Sequence, residues 1–332
     1  MKHINVALFV PDEGCPHQCS FCNQKTISGK TKRLSVSEID EAVKIAEEKS
    51  DGNGEIAFFG GSFTAIEKDY MISLLERAKI YIDKGLLGGI RISTRPDCID
   101  EEILSLLRKY GVTSIELGCQ SMSDEVLLCN GRGHTSECVV KSAELIREYG
   151  FELGVQMMTG LYGDSDEGAV ETAEKLIALS PDTVRIYPTV VLENTRLADL
   201  YKKGEYTPQT VEEAAELCSK LLMMFHEKNI RVIRLGLHSG GNVEEGFVAG
   251  AYHPAFREIC ESKIYLRKVL DIIEKENIPK GNITITVNKK CVSALSGQKR
   301  INIEKLKSMG YICKIEQNET HSKYEVSVRL TK

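Results

Sequence analysis

The sequence has 332 residues, of which 42 % are apolar and 27 % are charged, and its formal net charge is −5. This is the composition of an ordinary globular protein, and the length suggests two domains. No apolar run approaches the roughly 18 residues of a membrane span. The first residues also lack the apolar stretch of a signal peptide, so we expect a cytoplasmic protein without a membrane segment.

Charge and cysteine are unevenly distributed along the chain. Residues 281–332 carry ten Lys or Arg and four Glu, a balance of +6, which leaves −11 for the rest. That division indicates a basic tail module joined to an acidic body. In a reducing compartment, the eleven cysteines indicate thiols and metal ligands rather than disulfides. Three lie within eight residues, and the others are predicted to be small buried hydrophobes: Cys98, Cys119, Cys129, Cys138, Cys218, Cys260, Cys291 and Cys313.

Predicted strands and helices alternate along the acidic body. The predicted strands are Val6–Val10, Glu55–Phe59, Gly89–Ser93, Ser114–Gly118, Glu152–Met157, Thr183–Tyr187 and Arg231–Leu235. The predicted helices between them are Ser37–Glu48, Tyr70–Asp83, Glu101–Tyr110, Glu137–Tyr149, Glu167–Leu179 and Val211–Lys228. Ser35 and Glu38 have the spacing of a capping box, and Gly85, Gly111 and Gly150 stand where helices should end.

Strands separated by helices pair in parallel, because each crossover returns over the sheet. The strand–helix units are too few for a complete barrel of eight. The sequence therefore predicts an α/β fold with a partial (β/α)6 barrel, and a doubly wound sheet is the alternative. In either fold, ligands bind at the carboxyl ends of the strands. The unusual segments all follow strands and are expected at that edge: Cys15–Cys22, Gly60–Thr64, Ser93–Asp97, Gly118–Ser121, Gly131–His134, Gln156–Gly160 and Arg185–Thr189.

The segment Cys15–Cys22 carries the strongest chemical signal, because three cysteines are spaced by four and then three residues. One tight loop of this kind can supply three thiolate corners to a cube-shaped iron–sulfur cluster. Three protein ligands leave one iron open, and an open position is how a metal site binds a substrate. The alternative is a structural zinc site with His17 as the fourth ligand, although zinc sites usually join two separate pairs of ligands.

The C-x3-C-x2-C pattern, with Phe21 before its last cysteine, resembles the radical-SAM superfamily. From Gly60 to about Lys228 the chain also resembles the Elongator catalytic-subunit family, which modifies the wobble uridine of tRNA. Looser matches exist to oxygen-independent coproporphyrinogen oxidase. Nothing in the chain matches the acetyltransferase domain of Elongator subunits, which argues against an acetyl-CoA reaction. The cysteine spacing is also shorter than in most Elongator proteins. The segments that carry the resemblance are Ser93–Asp97, Ile115–Ser121, Arg132–Thr135, Gln156–Gly163, Arg185–Thr189 and Leu197–Tyr206.

The resemblance implies a radical-SAM barrel with one [4Fe–4S] cluster on Cys15, Cys19 and Cys22, whose open iron binds S-adenosylmethionine. An electron donor of the flavodoxin or ferredoxin type would reduce the cluster, and cleavage of S-adenosylmethionine would give a 5′-deoxyadenosyl radical. The sequence holds no second cysteine triplet, so a second cluster is not expected. No catalytic side chain is assigned. The residues predicted to bind the cofactor are Phe21, Gly60, Gly61, Ser62, Ser93, Glu116, Gln120, Arg132, Gln156 and Tyr187.

These assignments rest on different arguments. Bare backbone at Gly60 and Gly61 can approach the ammonium end of the cofactor closely. By resemblance, Arg132 would pair with the cofactor's carboxylate and Tyr187 would border its adenine, whereas the family often has Glu where this chain has Ser93. Glu116 shares a face of its buried strand with Gln120, which is costly unless it meets a ligand or a cation. A buried pair between Glu116 and Arg185 is therefore the alternative.

The pattern changes after residue 238, so we predict a first domain at 1–238, a linker near 239–250 and a C-terminal α+β domain at 251–332. Its predicted elements are helices Pro254–Glu261, Lys263–Glu276 and Val292–Met309 and strands Ile283–Asn288, Ile312–Gln317 and Tyr324–Leu330. The order of these elements around Gly297–Arg300 resembles a KH domain, which clamps RNA with a G-x-x-G loop, although Arg300 replaces the second Gly. A structural cap with a basic, solvated face is the alternative.

Three functions compete at this stage. The basic tail favours a radical-SAM enzyme that acts on RNA, in particular tRNA, bound through residues 281–332. A radical-SAM enzyme acting on a small molecule or a porphyrin is the second possibility. The third is a cluster-binding scaffold or haem carrier without turnover, which the set of cofactor motifs disfavours.

Overall fold

A computed structural model of the protein describes residues 5–10, 15–29, 32–47, 54–238 and 242–331. Glu48 at the end of a predicted helix, residues 239–241 of the predicted linker, and the outer ends of both predicted domains lie outside these ranges. The chain divides into two compact units: residues 1–209 with 224–251, and residues 210–223 with 252–332. The domain boundaries at 238 and 251 stay a prediction.

The first unit is built on one curled sheet of seven parallel strands, the partial barrel that the sequence predicts. Its strands, with two short ones outside this sheet, are β1 (Asn5–Val10), β2 (Glu55–Gly60), β3 (Gly89–Thr94), β4 (Val112–Gln120), β5 (Glu152–Thr159), β6 (Thr183–Pro188), β7 (Val190–Leu192), β8 (Arg231–Leu235) and β9 (Phe247–Gly250). Strands β1 to β6 and then β8 are neighbours in chain order. A doubly wound sheet requires a reversal of that order, so this alternative is excluded.

Helices join each strand of the half-barrel to the next. They are α1 (Gln24–Ser28), α2 (Val36–Glu47), α3 (Lys68–Asp83), α4 (Glu101–Lys109), α5 (Asp124–Cys129), α6 (Ser136–Glu148), α7 (Asp166–Ala178), α8 (Arg196–Lys202) and α9 (Val211–Glu227), of which residues 211–223 belong to the second unit. The capping box before α2 is confirmed, since Ser35 N donates to Glu38 Oε2 at 2.9 Å and Glu38 N donates to Ser35 Oγ at 3.3 Å. Gly85, Gly111 and Gly150 end their helices with φ values of 71°, 82° and 78°, which suit glycine.

The central strands are buried on both faces. Ile92 of β3 and Leu117 of β4 are fully buried, as are Leu104 and Leu107 on α4. Burial of each such side chain contributes roughly 1.5–3 kcal/mol to the stability of the fold. The packed core thereby fixes where these strands end and where their loops begin. Within the described residues, no helix is both long and apolar enough to cross a membrane.

The second unit contains a three-stranded sheet of order β11-β10-β12, in which β10 is parallel to β11 and antiparallel to β12. Its elements are α10 (Phe256–Lys275), β10 (Gly281–Val287), α11 (Val292–Ser296), α12 (Ile301–Ser308), β11 (Tyr311–Gln317) and β12 (Val326–Leu330).

Two helix predictions in this unit were wrong. The predicted helices Pro254–Glu261 and Lys263–Glu276 are one helix, because Ser262 is buried inside it and accepts a hydrogen bond from Asn302 Nδ2 at 3.0 Å. The predicted helix Val292–Met309 is two helices. Gly297 breaks it with a φ of 72°, and the short 3-10 turn Gln298–Arg300 separates α11 from α12.

Candidate active site

A cavity of about 460 Å³ lies at the carboxyl ends of the half-barrel strands, a volume that suits a small-molecule ligand. Seven residues predicted to hold the cluster or the cofactor line it: Phe21, Cys22, Gly60, Ser93, Gln120, Gln156 and Tyr187. Gln120 adopts a left-handed φ of 67° at an irregularity in the register between β4 and β5, and its Oε1 has no hydrogen-bond partner in the described structure. The other predicted residues do not line this cavity: Cys15, Cys19, Gly61, Ser62, Glu116 and Arg132.

The cysteine loop rests on a second loop, residues 130–133, here called the platform loop. The ring of His17 lies where a side chain at Gly133 would be, within 2.3 Å of a Cβ placed there. Backbone of Gln18 approaches Gly131 in the same way, at 3.3 Å from such a Cβ. Because glycine alone leaves this space, two bare backbone positions allow the loops to meet.

Hydrogen bonds continue this contact. Ser20 N donates to Asn130 O at 3.0 Å, and Ser20 Oγ donates to Asn130 Oδ1 at 2.6 Å. Arg132 Nη1 donates to Cys19 Sγ at 3.1 Å. Behind Cys22, the ring of Phe21 packs against two apolar clusters that include Leu197 and Met158. The cysteine loop is thus held in place by the protein itself.

Arg132 lies between the cysteine loop and the end of β4. Its side chain is buried, with Nη1 on Cys19 Sγ at 3.1 Å and Nη2 on the Gly118 carbonyl oxygen at 2.5 Å. Arg95 Nη2 in turn donates to the Arg132 carbonyl oxygen, and Arg95 Nε donates to Asp97 Oδ1 at 2.9 Å. Arg132 therefore contacts Cys19, one of the predicted cluster ligands, and its contact with the cofactor carboxylate stays a prediction.

Whether Cys15, Cys19 and Cys22 fit an iron–sulfur cluster depends on the ligand atoms they offer and on the groups around those atoms. In the described chain, no three His, Cys, Asp or Glu side chains are grouped so that they could hold a metal ion. The donors nevertheless fit the cluster. Arg132 Nη1 donates to Cys19 Sγ at 3.1 Å and Gln24 Nε2 donates to Cys22 Sγ at 3.5 Å, and hydrogen bonds of this kind surround the sulfur ligands of metal sites. The zinc alternative is weaker, since it needs the ring of His17 as a ligand and that ring packs on Gly133.

Glu116 belongs to a network of buried charges that spans the inner strands. Arg185 donates to it through Nε at 2.6 Å and Nη2 at 2.9 Å, and Arg91 Nη1 lies 3.6 Å from its Oε1. The Glu116–Arg185 pair, the alternative considered from the sequence, is thus present. Gln156 Nε2 also donates to Glu116 Oε2 at 3.0 Å and to Ser93 Oγ at 3.2 Å. Glu116 thereby orients the side chains of Arg185 and Gln156, which both line the cavity.

The glycine-rich segment after β2 has a structural reason for its composition. A Cβ on Gly60 would lie 2.2 Å from the Val10 carbonyl oxygen, and the φ of Gly60 is 118°. Ser62 Oγ is hydrogen-bonded to Thr94 Oγ1 at 2.8 Å and accepts from Arg95 N at 3.2 Å. This segment therefore locks the end of β2 against β1 and β3, while Gly60 also lines the cavity.

Burial changes the acid–base behaviour of several groups near this edge. Burial and the charges of Arg132 and Arg95 lower the pKa of His134 to about 4, so its ring is neutral near pH 7. Its Nε2 lies 3.3 Å from the Cys119 carbonyl oxygen, which suits a residue that organises the loop. Burial also raises the pKa of Tyr187.

Several cavity residues were not found from the sequence: Phe9, Phe59, Arg234, Leu237 and His238. Phe9 looks like an ordinary strand residue, and the sequence places His238 only as the last residue before a linker. Only their position in the sequence pointed to the site, because Phe9 and His238 each lie near the carboxyl end of a strand, where ligands bind in folds of this kind.

Comparison with known proteins agrees with this architecture. Residues 10–176 match the profile of the Radical SAM superfamily, and residues 181–266 match the Radical_SAM C-terminal domain. The tRNA uridine(34) acetyltransferase of Methanocaldococcus jannaschii is 36 % identical over 185 residues, which is 50 % of this chain and 34 % of that protein. Human Elongator complex protein 3 is 31 % identical over 190 residues, or 51 % of this chain and 35 % of that protein.

Other relatives cover more of the molecule. An uncharacterized protein of Methanocaldococcus jannaschii is 31 % identical over 214 residues, which is 60 % of this chain and 65 % of that protein. The solved structure of Methanocaldococcus infernus Elp3 with an N-terminal deletion superposes with a TM-score of 0.58 at 22 % identity, covering 83 % of this chain and 64 % of that one. That likeness shows the fold. The chain spans about a third of the length of the acetyltransferases that it matches.

Proposed function

The chain belongs to the radical SAM superfamily and is an enzyme, and we propose that it cleaves S-adenosylmethionine in order to modify RNA, in particular tRNA. When bound, a [4Fe–4S] cluster and S-adenosylmethionine supply one-electron chemistry that can remove hydrogen from a substrate. In this proposal Cys15, Cys19 and Cys22 hold the cluster, and a flavodoxin or ferredoxin type of protein donates the electron.

The observation that carries the proposal is the shared cavity. Cys22, Gln120 and Gln156 come from three separate parts of the chain and line the same space at the carboxyl edge of the half-barrel. Gln120 lines this cavity and its buried amide oxygen has no hydrogen-bond partner among the described residues, while Glu116 fixes the amide of Gln156. Buried polar groups are costly without partners, so a polar ligand in this cavity would stabilise them. Phe21 and Tyr187 add aromatic side chains to the wall of the cavity.

Two observations support RNA as the substrate. The archaeal relatives are named for a reaction on uridine 34 of tRNA, and human Elongator complex protein 3 is a relative of the same kind. The second unit also carries exposed cations without an acidic partner among the described residues: Lys290, Lys299, Arg300, Lys305 and Lys307. Phosphate groups are the natural partners of such a surface.

The loop that presents Lys299 and Arg300 is strained and firmly anchored. Both residues have left-handed φ values, 51° and 62°, which cost about 1–2 kcal/mol each for residues other than glycine. The buried Asn302 holds the loop by donating from Nδ2 to the Leu295 carbonyl oxygen and to Ser262. Strain of this kind tends to persist where a site needs a fixed shape. We therefore assign this loop as the phosphate anchor for tRNA.

The first test concerns the cluster. We expect anaerobic reconstitution to give about four irons per chain, the count that one [4Fe–4S] cluster requires. Replacing Cys15, Cys19 or Cys22 by Ala should abolish this iron and its visible absorbance, because each supplies one of the three predicted thiolate ligands. The measurements are iron analysis and absorption spectra.

Matched controls are Cys98→Ala, Cys138→Ala and Cys260→Ala, which should keep the iron. Stoichiometric zinc without charge-transfer absorbance, in protein that has never met oxygen, would contradict the cluster. Binding of S-adenosylmethionine that never leads to its cleavage would favour the non-catalytic carrier.

The second test concerns RNA. Replacing Lys299 and Arg300 together by Glu should weaken tRNA binding, because two phosphate contacts are lost. The slope of log Kobs against log salt should flatten by about 0.7–0.9 for each lost contact. Binding of tRNA at several salt concentrations, measured by fluorescence anisotropy, gives both quantities.

The control is the double replacement of Lys314 and Arg329 by Glu, which changes the charge equally at two residues that both pair with Glu316. It should leave the slope near the wild-type value, with thermal unfolding recorded for both variants. If both double variants bind tRNA alike, the loop is not the anchor. If wild type binds no RNA at low salt, the substrate is a small molecule or a porphyrin instead.

A further inference from the structure

The half-barrel is open, and one aromatic pair stands at its opening. β1 and β8 are the two edge strands of the seven-stranded sheet. Phe9 is near the end of β1 and His238 follows the end of β8, yet their rings stack with centroids 6.0 Å apart and planes at 26°. Residues from opposite edges of the sheet thus meet across the seam, and both line the cavity.

The seam differs in composition from the rest of the cavity. Residues that the resemblance assigns to the cofactor lie on the cysteine loop, on the platform loop, on β2 to β6 and directly after β2. Beyond them, the ring of Phe59 lies 6.4 Å from that of Phe9, and the guanidinium of Arg185 stands 4.8 Å from the Phe59 centroid. Arg234 also lines this side, with its Nε held by the Gly236 carbonyl oxygen at 2.9 Å. The seam is a wall of flat rings with two guanidinium groups beside it.

That chemistry suits a planar heterocycle with carbonyl oxygens. Aromatic side chains stack on nucleobases whatever their sequence, and guanidinium groups donate hydrogen bonds to carbonyl oxygens. Burial and the charges of Arg234 and Arg185 lower the pKa of His238, although the Ile27 backbone opposes this effect. A neutral imidazole is a flat, uncharged ring, on which a nucleobase can stack.

We propose that Phe9, His238 and Arg234 form the substrate subsite, in which a pyrimidine base of RNA stacks against the ring pair at the seam. This subsite rests on the proposed function, since it names the part of the RNA that enters the cavity. A base held there lies in the same cavity as the predicted cofactor residues, while the tail loop holds phosphates elsewhere on the RNA.

Photocrosslinking tests the subsite directly. The probe is an RNA hairpin with 4-thiouridine in its loop, irradiated with the reconstituted protein, and the cross-linked peptides are identified by mass spectrometry. We expect the wild-type cross-link on the peptides that contain Phe9 or His238. Phe9→Leu and His238→Ala should each reduce its yield about tenfold or more, because a stacking ring is lost.

Two further variants separate stacking from other roles. His238→Phe keeps a flat ring without the imidazole nitrogens and should retain most of the cross-link. His226→Ala removes an exposed histidine that does not line the cavity, and it should match wild type. Thermal unfolding and iron content, measured for every variant, identify any loss that comes from misfolding.

The outcomes distinguish the subsite from the function on which it rests. If wild type binds the hairpin but cross-links elsewhere, or if Phe9→Leu and His238→Ala cross-link as well as wild type, the subsite is overturned and RNA modification stands. If wild type binds no RNA and forms no cross-link at low salt, both are overturned. Loss of the cross-link in His238→Phe as well would replace stacking by recognition through the imidazole nitrogens.

Discussion

Arg132 is a buried cation beside a sulfur atom that we assign to an iron–sulfur cluster. Its Nη1 lies 3.1 Å from Cys19 Sγ, and its Nη2 is held by the Gly118 carbonyl oxygen, so the guanidinium has little freedom to turn. Hydrogen bonds and positive charge near cluster sulfurs stabilise the reduced state and raise the reduction potential. We therefore expect Arg132 to raise the reduction potential of the predicted cluster.

Replacing Arg132 by Met should lower the reduction potential of the reconstituted cluster, because the charge and the N–H to sulfur are both removed. A shift of about 60 mV corresponds to a tenfold change for a one-electron couple and is the scale we expect. An EPR-monitored redox titration measures it, and Arg132→Lys, which keeps the charge, should fall between the two.

The role implied by the family resemblance gives the opposite pattern. If Arg132 pairs with the carboxylate of S-adenosylmethionine, Arg132→Met should weaken cofactor binding by about 1.5–3 kcal/mol and leave the potential of the cofactor-free cluster unchanged. Calorimetric titration with S-adenosylmethionine, next to the potential, decides between the two contacts.

Single residues were predictable where their type is rare and their chemistry narrow. The spacing of Cys15, Cys19 and Cys22 stands out in any sequence, and a Gln such as Gln120 at the end of a buried strand needs a reason. Phe9 gave no such signal, because an aromatic residue on a strand usually packs in a core. Phe9 contacts His238 only because the sheet curls, and a local sequence pattern carries no information about that curvature.

At the scale of elements, the platform loop supports the cysteine loop through one central side chain. Asn130 is fully buried, accepts from Ser20 Oγ, and donates from Nδ2 to the Val126 and Tyr162 carbonyl oxygens, each at 2.8 Å. The α8 helix adds a further contact, since Leu197 N donates to the Ser20 carbonyl oxygen at 2.8 Å. The loop that is predicted to hold iron is thus fixed from two sides.

Replacing Asn130 by Ala should speed the loss of iron to a chelator, although no predicted ligand is changed. The substitution leaves the buried Ser20 hydroxyl and the Tyr162 carbonyl oxygen without a partner, which costs roughly 1–3 kcal/mol for each such group. The measurement is the rate of iron transfer to a coloured chelator under anaerobic conditions.

Asn302→Ala is the matched control, since Asn302 is also buried and its side chain makes hydrogen bonds in the second unit. It should lower the melting temperature while iron release stays at the wild-type rate. Equal acceleration in both variants would mean that global unfolding, rather than the platform loop, governs retention of the cluster.

Element prediction succeeded in the half-barrel and failed in part of the tail. In the barrel, buried β-rich runs and capped helices alternate, and tertiary packing agrees with the local pattern. In the tail, Ser262 resembles a break between helices but is buried and hydrogen-bonded, so α10 runs through it. Conversely, helical periodicity continues across Gly297, where a positive φ ends α11. Both errors come from tertiary contacts of Asn302 and its neighbours.

At the scale of the whole molecule, the composition predicted a basic tail and an acidic body. The excess of cations after residue 281 belongs to the second unit, where four of them are paired with Glu261, Glu316 or Glu319 and others are exposed on the loop and α12. The net charge of the tail could not show which cations are paired and which are exposed, because that depends on which side chains are in contact. The proposed phosphate anchor therefore uses fewer cations than the balance of +6 for residues 281–332 suggests.

The sequential order of the strands also bears on how the chain folds as it leaves the ribosome. Each strand of the half-barrel pairs with the strand made just before it in the sheet: Asn5 pairs with Glu55, Gly154 with Thr183, and Thr183 with Arg231. Among the described strands of this sheet, each pair can form as soon as its later strand has been made, and domains form while synthesis continues at about 5–20 residues per second. We expect the sheet to grow strand by strand from its amino end. β8, which brings His238 to Phe9, is added last, so the seam is complete only when the sheet is.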